Sequence, residues 1–372
     1  PNAGYATDFI SEAMVPNLRR ISETSTKIIS KAGGVNPSAC DMILREKIAE
    51  QGLSLKVAVI EGDNLLPNID SIFDLNPTEM FSGNEFPDKA KIGSINAYFG
   101  AQPIVKALEK GADIVVTGRC VDSAVTLAAC MYNFGWPSDD FDLLSAGSLI
   151  GHLLECGTQI TGGNFTDWKS IKGTFDQIGY PIAEIEKDGK AYITKAKDTG
   201  GVVNFGTVAE QMLYEIGDPE NYLLPDVNCD FSQVEIKEIE RDRVYVSGAR
   251  GKPPSESYKV CLTYEAGFRG GHLFGFYGSD ATDKANAFAK AAISRSRYSL
   301  EKKNLEPFIE ESVEIIGSGS QFGTQKNSQD SNEVFAKIAV KHESPKGVGI
   351  FLKDTTGLGL SSPPGLSGFA GA

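Results

Sequence analysis

The sequence predicts an α/β protein: a doubly wound, mostly parallel sheet followed by a smaller α+β domain with a largely antiparallel sheet. Three observations predict it. Short β-branched runs alternate with helical stretches up to about residue 175. Each of those runs ends in a polar tip, as expected where an open α/β sheet builds its site. Beyond residue 176 the strand-like runs outnumber the helices and pair as neighbours. The expected divisions are 1–175, the α/β domain with the active site; 176–320, the α+β domain; and 321–372, a polar, Gly/Ser/Pro-rich tail.

The chain opens with AGYATDF and a helix over Ser11–Ile21, then a short strand over Thr26–Ser30. Lys31–Pro37 is a glycine-rich turn, and the helix after it runs from a Ser38 cap to Gln51, stopped by Gly52. Leu55–Ile60 is the next strand, with Glu61-Gly62-Asp63-Asn64 at its carboxyl end. Residues 67–93 show no periodicity, and Ala97–Lys110 reads as an amphipathic helix. Ile114-Val115-Val116 is too short and too branched for anything but a buried strand, and its tip is Thr117-Gly118-Arg119. A helix follows near Asp122-Ser123, both good cap types whose first-turn N–H groups attract anions.

From Leu149 to Ile160 apolar residues run nearly all round a helix, so the helix is buried. It nevertheless carries His152 and Glu155 on one face, and a buried carboxylate must be paired, protonated or lining a wet cavity. Either these two are internal struts, or they serve a site with the polar-aromatic loop Asn164–Trp168. In the second half, Asp188-Gly189 marks a hairpin, and a helix over Thr207–Ile216 opens with a Thr207/Glu210 capping box. Strands are expected at 222–224, 234–240, 243–247, 258–264, 272–277 and 313–316, with a long helix over 280–303 between the last two. Asn332–Lys341 reads as helical and the glycine-rich end as a loop or arm.

Composition removes several function classes. A net charge of -13 with scattered basic residues argues against nucleic acid, and no apolar run approaches the ~20 residues that cross a membrane. Six cysteines without a CxxC pair point to reduced thiols and a cytoplasmic or mitochondrial-matrix protein rather than a secreted one. Three histidines exclude a His-rich metal cage, and neither GGVNPSA nor TGRCVDSA meets the dinucleotide fingerprint. His152-Leu-Leu-Glu155 has a ligand-like spacing but no second histidine nearby, so no metal is expected.

Four strings, GADIVVTGRCVDSA, GHLLECGTQITGGNFTDW, TVAEQMLYEIGDPENYLLPDV and VSGARGKPP, resemble the acyclic terpene utilisation protein family (AtuA-like), over most of the chain from AGYATDF to about Gly317. The resemblance implies breakdown of citronellol- and geraniol-type terpenoids, in which branched acids are processed as CoA thioesters beside a biotin-dependent carboxylase. It also implies a further N-terminal strand and helix with a glycine-rich turn, which is not found in this sequence. Either an inner strand is lost with that segment, or the site draws on residues outside these 372.

The expected function is therefore an enzyme acting on a branched acyl-CoA or related carboxylate by lyase, hydratase or isomerase chemistry. The alternative is a non-catalytic ligand-binding or scaffold subunit of an acyl-CoA-processing complex. Such reactions need a base and donors for an enolate-like oxygen. Asp122 and Glu155 are the candidate bases, and His152 the candidate proton carrier. Arg119, with its bidentate fork, is the candidate carboxylate or phosphate binder. Asn36, Asn64 and Asn164 would orient polar groups, Ser123 would donate at the helix start, and Asp63 and Asp167 are further substrate-binding candidates. No cofactor is expected, with CoA entering only as part of the substrate. A homo-oligomer is expected, with an acyl-CoA carboxylase-associated subunit as a further partner.

Overall fold

The computed structural model describes residues 4–325 and 331–371. It is a mixed α/β structure with one parallel three-stranded sheet and several mostly antiparallel ones. Its residues divide into two compact units, 1–263 and 264–372.

In the first unit a π-helical turn (Phe9–Met14) and α1 (Leu18–Thr24) lead to β1 (Ile28–Ser30) and α2 (Pro37–Glu50). Thus the single helix expected over 11–21 is broken in two. The cap of α2 is Asn36, whose Oδ1 accepts from the Ala39 N–H at 3.2 Å, rather than Ser38. With Pro37 at its first position, α2 starts where a fixed φ suits it. β2 (Val57–Ile60) and the short α3 (Ile69–Asp74) follow, then β3 (Ile92–Ala97), α4 (Gln102–Glu109) and β4 (Ile114–Thr117). The helix expected from Ala97 therefore begins only at Gln102, because Ile92–Ala97 is extended and pairs with β12 (Val260–Tyr264).

β1 and β2 both pair with β4 in parallel, giving the order β1-β4-β2. Ile114 and Val116 pack with Leu44 and Ile48 of α2, while Val115 joins the cluster that contains α4 and α5 (Ala124–Phe134). α6 (Phe141–Glu155) is buried along most of its length and packs on the start of α5. Gly151 is required there, since a Cβ would lie 2.6 Å from the Ser123 carbonyl oxygen.

The rest of this unit is antiparallel. β5 (Pro181–Ile185) and β6 (Ala191–Lys195) form the expected hairpin, and α7 (Phe205–Leu213) follows. Its capping box joins Asn204 to Thr207, not Thr207 to Glu210. Next come β7 (Tyr222–Leu223), β8 (Asn228–Asp230), β9 (Glu235–Glu240), β10 (Arg243–Ser247) and β11 (Arg250–Lys252), in the orders β5-β6-β10-β9 and β11-β8-β7. Val244, Val246 and Cys229 from these strands share one hydrophobic cluster with α4, α5 and α6, so 176–252 has no core of its own.

The second unit is a four-stranded antiparallel sheet, in the order β14-β15-β13-β16, with α8 and α9 packed on it. Its elements are β13 (Phe268–Tyr277), α8 (Ala281–Lys302), β14 (Glu310–Ile316), β15 (Glu333–His342), α9 (Pro345–Gly357) and β16 (Leu366–Gly371). The expected helix over Asn332–Lys341 is instead β15, and the expected loop or arm at the glycine-rich end supplies a 3-10 turn (Leu358–Ser361) and β16. Val334, Ala336, Ile338, Val340 and His342 are all buried, a spacing of two that only a strand satisfies. No helix among the described residues is long and apolar enough to cross a membrane.

Candidate functional site

Because β1, β2 and β4 are parallel, their polar tips lie along one edge of the sheet. Asp63, just past β2, is the hub of that edge. It is buried, and its Oδ2 accepts from Asn96 Nδ2 at 2.9 Å and from the Arg119 N–H at 2.8 Å. Its carbonyl oxygen takes the Ala97 N–H at 2.8 Å. Two close approaches make the edge compact. A Cβ at Gly118 would lie 2.3 Å from Asp63 Oδ1, and one at Gly33 would lie 2.5 Å from the Thr117 carbonyl oxygen.

Arg119 is exposed, yet its side chain is held. The guanidinium lies 4.5 Å from the Tyr98 ring centroid, and Nη2 donates to Tyr98 Oη at 2.7 Å. Asp122 forms an ion pair with Lys31, which follows β1. Burial lowers the Lys31 pKa below the ordinary lysine value, and Arg119 lowers it further, while Cys120, Glu155 and Cys156 act the other way. Lys31 thus lies within electrostatic reach of both Arg119 and Glu155. Beside Lys31 opens a cleft of about 510 Å³ lined by Asp8, Phe9, Glu12, Ser30, Lys31 and Ala32.

Glu155 ends α6 and is half-buried; its Oε1 accepts from the Cys156 thiol at 2.7 Å. Burial and the neighbouring Glu155 push that thiol up to about 12, so it stays protonated at neutral pH and is no nucleophile. His152, one turn earlier, is buried and bridges helices. Its Nε2 lies 2.9 Å from the Gln211 carbonyl oxygen, and Gln211 Nε2 donates to the His152 carbonyl oxygen at 3.0 Å. A carbonyl only accepts, so Nε2 carries the proton and offers no lone pair to a metal. Burial also lowers the imidazole pKa. This geometry favours the strut reading of His152 over the proton carrier. Among the described residues, no three His, Cys, Asp or Glu side chains are arranged to hold a metal ion.

The remaining candidates are spread out. Asn36 caps α2, and Asn64 Oδ1 accepts from the Leu66 N–H at 3.0 Å. Ser123 is buried at the start of α5 without a side-chain capping bond. Asn164 is exposed with φ 56° and donates to Gln159 Oε1 at 3.2 Å; Asp167 is exposed and caps a turn through its carbonyl oxygen. Asp63, Arg119, Asp122 and Glu155 therefore belong to the gathered edge. Lys31 and Tyr98 belong to it as well, and the sequence reading missed both. Lys31 follows a strand in the same way as the other tip residues, which was a usable signal. Tyr98 fell inside the helix wrongly expected from Ala97.

Comparison with curated proteins and with solved structures returned no match. The model of the acyclic terpene utilisation family protein AtuA matches residues 1–372, and the chain belongs to that family.

Proposed function

We propose that the protein is an enzyme of branched-chain, terpenoid carboxylate catabolism, acting on an acyl-CoA or related carboxylate by lyase, hydratase or isomerase chemistry. Family membership supports a role in terpene catabolism. The observation that carries the rest is Lys31, which lines an open cleft at the carboxyl edge of a parallel sheet and lies within electrostatic reach of Arg119 and of Glu155. We also read that sheet, with packed residues on both faces, as the centre of a doubly wound domain.

The step common to the three reaction types is removal of a proton next to a carbonyl. Glu155 is the base, since Asp122 is committed to Lys31. The negative charge that builds on the carbonyl oxygen is met by the Lys31 ammonium, and the Arg119 fork holds a carboxylate or phosphate. In an isomerase the proton held by Glu155 then returns to a different carbon. In the dehydration direction of a hydratase the β C–O bond breaks and the hydroxide leaves as water with a proton, the hydration direction being the reverse. His152 keeps α6 against α7, so that Glu155 stays at the edge.

Glu155→Gln and Arg119→Met test this reading. Each is expected to keep the fold, with turnover of a branched acyl-CoA panel falling by roughly 10²–10⁴ for loss of the base. Native mass spectrometry of the protein with the same panel reads binding and oligomeric state directly. Unfolding of either variant, or turnover unchanged in both, sinks the proposal. A second reading, a non-catalytic scaffold or ligand-binding subunit, is favoured by one feature. Leu75, Met80 and Phe81 are 76%, 69% and 86% exposed, an apolar tip suited to a protein partner.

A further inference from the structure

We infer that Arg119, Tyr98 and Lys259 form an anion subsite, separate from the reacting group, that takes a phosphate or diphosphate carried by the substrate. This rests on the reading above and adds the part of the substrate that does not react. Tyr98 follows β3, and its N–H donates to the Lys259 carbonyl oxygen at 3.0 Å, which seats Lys259 beside it. Lys259 Nζ lies 5.3 Å from the Tyr98 ring centroid, with the Arg119 guanidinium 4.5 Å from the same centroid. The backbone of Arg119 is fixed at both ends of its peptide unit: its N–H is on Asp63, and its carbonyl oxygen takes the Phe99 N–H at 3.3 Å.

Two cations thus share one ring in a chain of net charge -13, and neither is ion-paired to a carboxylate among the described residues. An anion docked against this ring would meet two cationic groups that no carboxylate among the described residues neutralises. The Tyr98 oxygen accepts from Arg119, which leaves its own O–H proton to donate to that anion. A planar fork, a point charge and a hydroxyl offer more donors than one carboxylate uses, and they suit the several oxygens of a phosphate. The site is exposed, so binding there weakens steeply with salt.

The test is isothermal calorimetry on the full chain with coenzyme A, inorganic pyrophosphate and free 3-methylbutanoate, each at two salt concentrations. Coenzyme A is expected to bind at least as tightly as pyrophosphate. Lys259→Met should weaken both by roughly tenfold and flatten their salt dependence, and Tyr98→Phe should weaken both by a smaller factor. Lys259→Met should leave binding of the free acid unchanged. Coenzyme A affinity unchanged in Lys259→Met, or pyrophosphate binding without coenzyme A binding, overturns the subsite. Binding of the free acid with no binding of either phosphate compound also removes the subsite, yet leaves the carboxylate reading standing. Binding of coenzyme A sensitive to Lys259, without any turnover in the acyl-CoA panel, keeps the subsite and removes the proposed reaction.

Discussion

Asp63 and Asn96 bound two regions that behave as opposites. On one side is the sheet edge, where Asp63 is tied to Asn96 and to the Arg119 N–H, and Gly118 and Gly33 let neighbouring segments touch. On the other is the excursion between them, in which no residue from 64 to 94 is buried. Local contacts hold it together. Phe73 meets Phe86 edge-on at 5.8 Å, and Lys89 pairs with Asp70 while lying 4.7 Å from the Phe73 ring centroid. The contrast shows how one chain keeps a site rigid next to a segment with little to hold it. Few buried apolar contacts place the excursion at the low end of local stability, whereas the edge opens only with the whole sheet.

The largest effect is expected from Asp63→Ala. It strands two donors, Asn96 Nδ2 and the Arg119 N–H, at a buried position, and should cost about 2–4 kcal/mol in chemical denaturation. A loss under ~0.5 kcal/mol would remove Asp63 as the hub. Gly118→Ala comes next, at roughly 1–3 kcal/mol, because its Cβ would be driven into a carboxylate that cannot swing away without breaking those bonds.

Much of this edge was legible in the sequence, and the parts that were not have physical reasons. TKIIS, LKVAVI and IVV are β-branched and short, so the strands and their polar tips could be read locally, and Asp63, Arg119 and Asp122 came with them. Asn96 could not, because IGSINAYF carries glycine and asparagine, and its strand character comes from pairing with residues over 160 positions away. His152 and Glu155 were correctly placed on one helix face. What each does depended on Gln211, 59 residues on, and on Cys156 turning its thiol to Glu155. In β15 the buried alternation was visible, but alanine and lysine, good helix formers, pointed the other way; packing overrode propensity.

A smaller effect separates the edge from the excursion through pH. Asp226 belongs to the clamped side, with Oδ2 accepting from the Ala101 N–H at 2.8 Å, next to the start of α4. Burial raises its pKa in the fold, and the N–H groups of Ala101 and Gln102 only partly offset this. A folded pKa above the unfolded value means that the fold binds the proton more tightly, so stability falls as pH rises from the unfolded pKa, near 4, through the raised one. Thermal melts of Asp226→Asn should lack this decline, so the cost of the substitution should shrink as pH rises across that window. A cost independent of pH would mean that the Asp226 pKa is the same in the folded and unfolded chain.

The smallest effect should come from the excursion itself. Replacing Leu75, Met80 and Phe81 together by Ser removes three large apolar side chains, yet each is more than two-thirds exposed and none supports a core. Surface changes of this kind normally stay within about 0.5 kcal/mol apiece, so the melting temperature should barely move. The contrast with Asp63→Ala, one polar residue against three apolar ones, is the sharpest form of the comparison. Native mass spectrometry of the triple variant adds a second reading. If an oligomer present in the wild type is lost while the melt is unchanged, the apolar tip docks on a second copy. A melt that falls by several degrees with the oligomer intact would instead mean that the tip packs within its own chain, and the two regions would not be opposites after all.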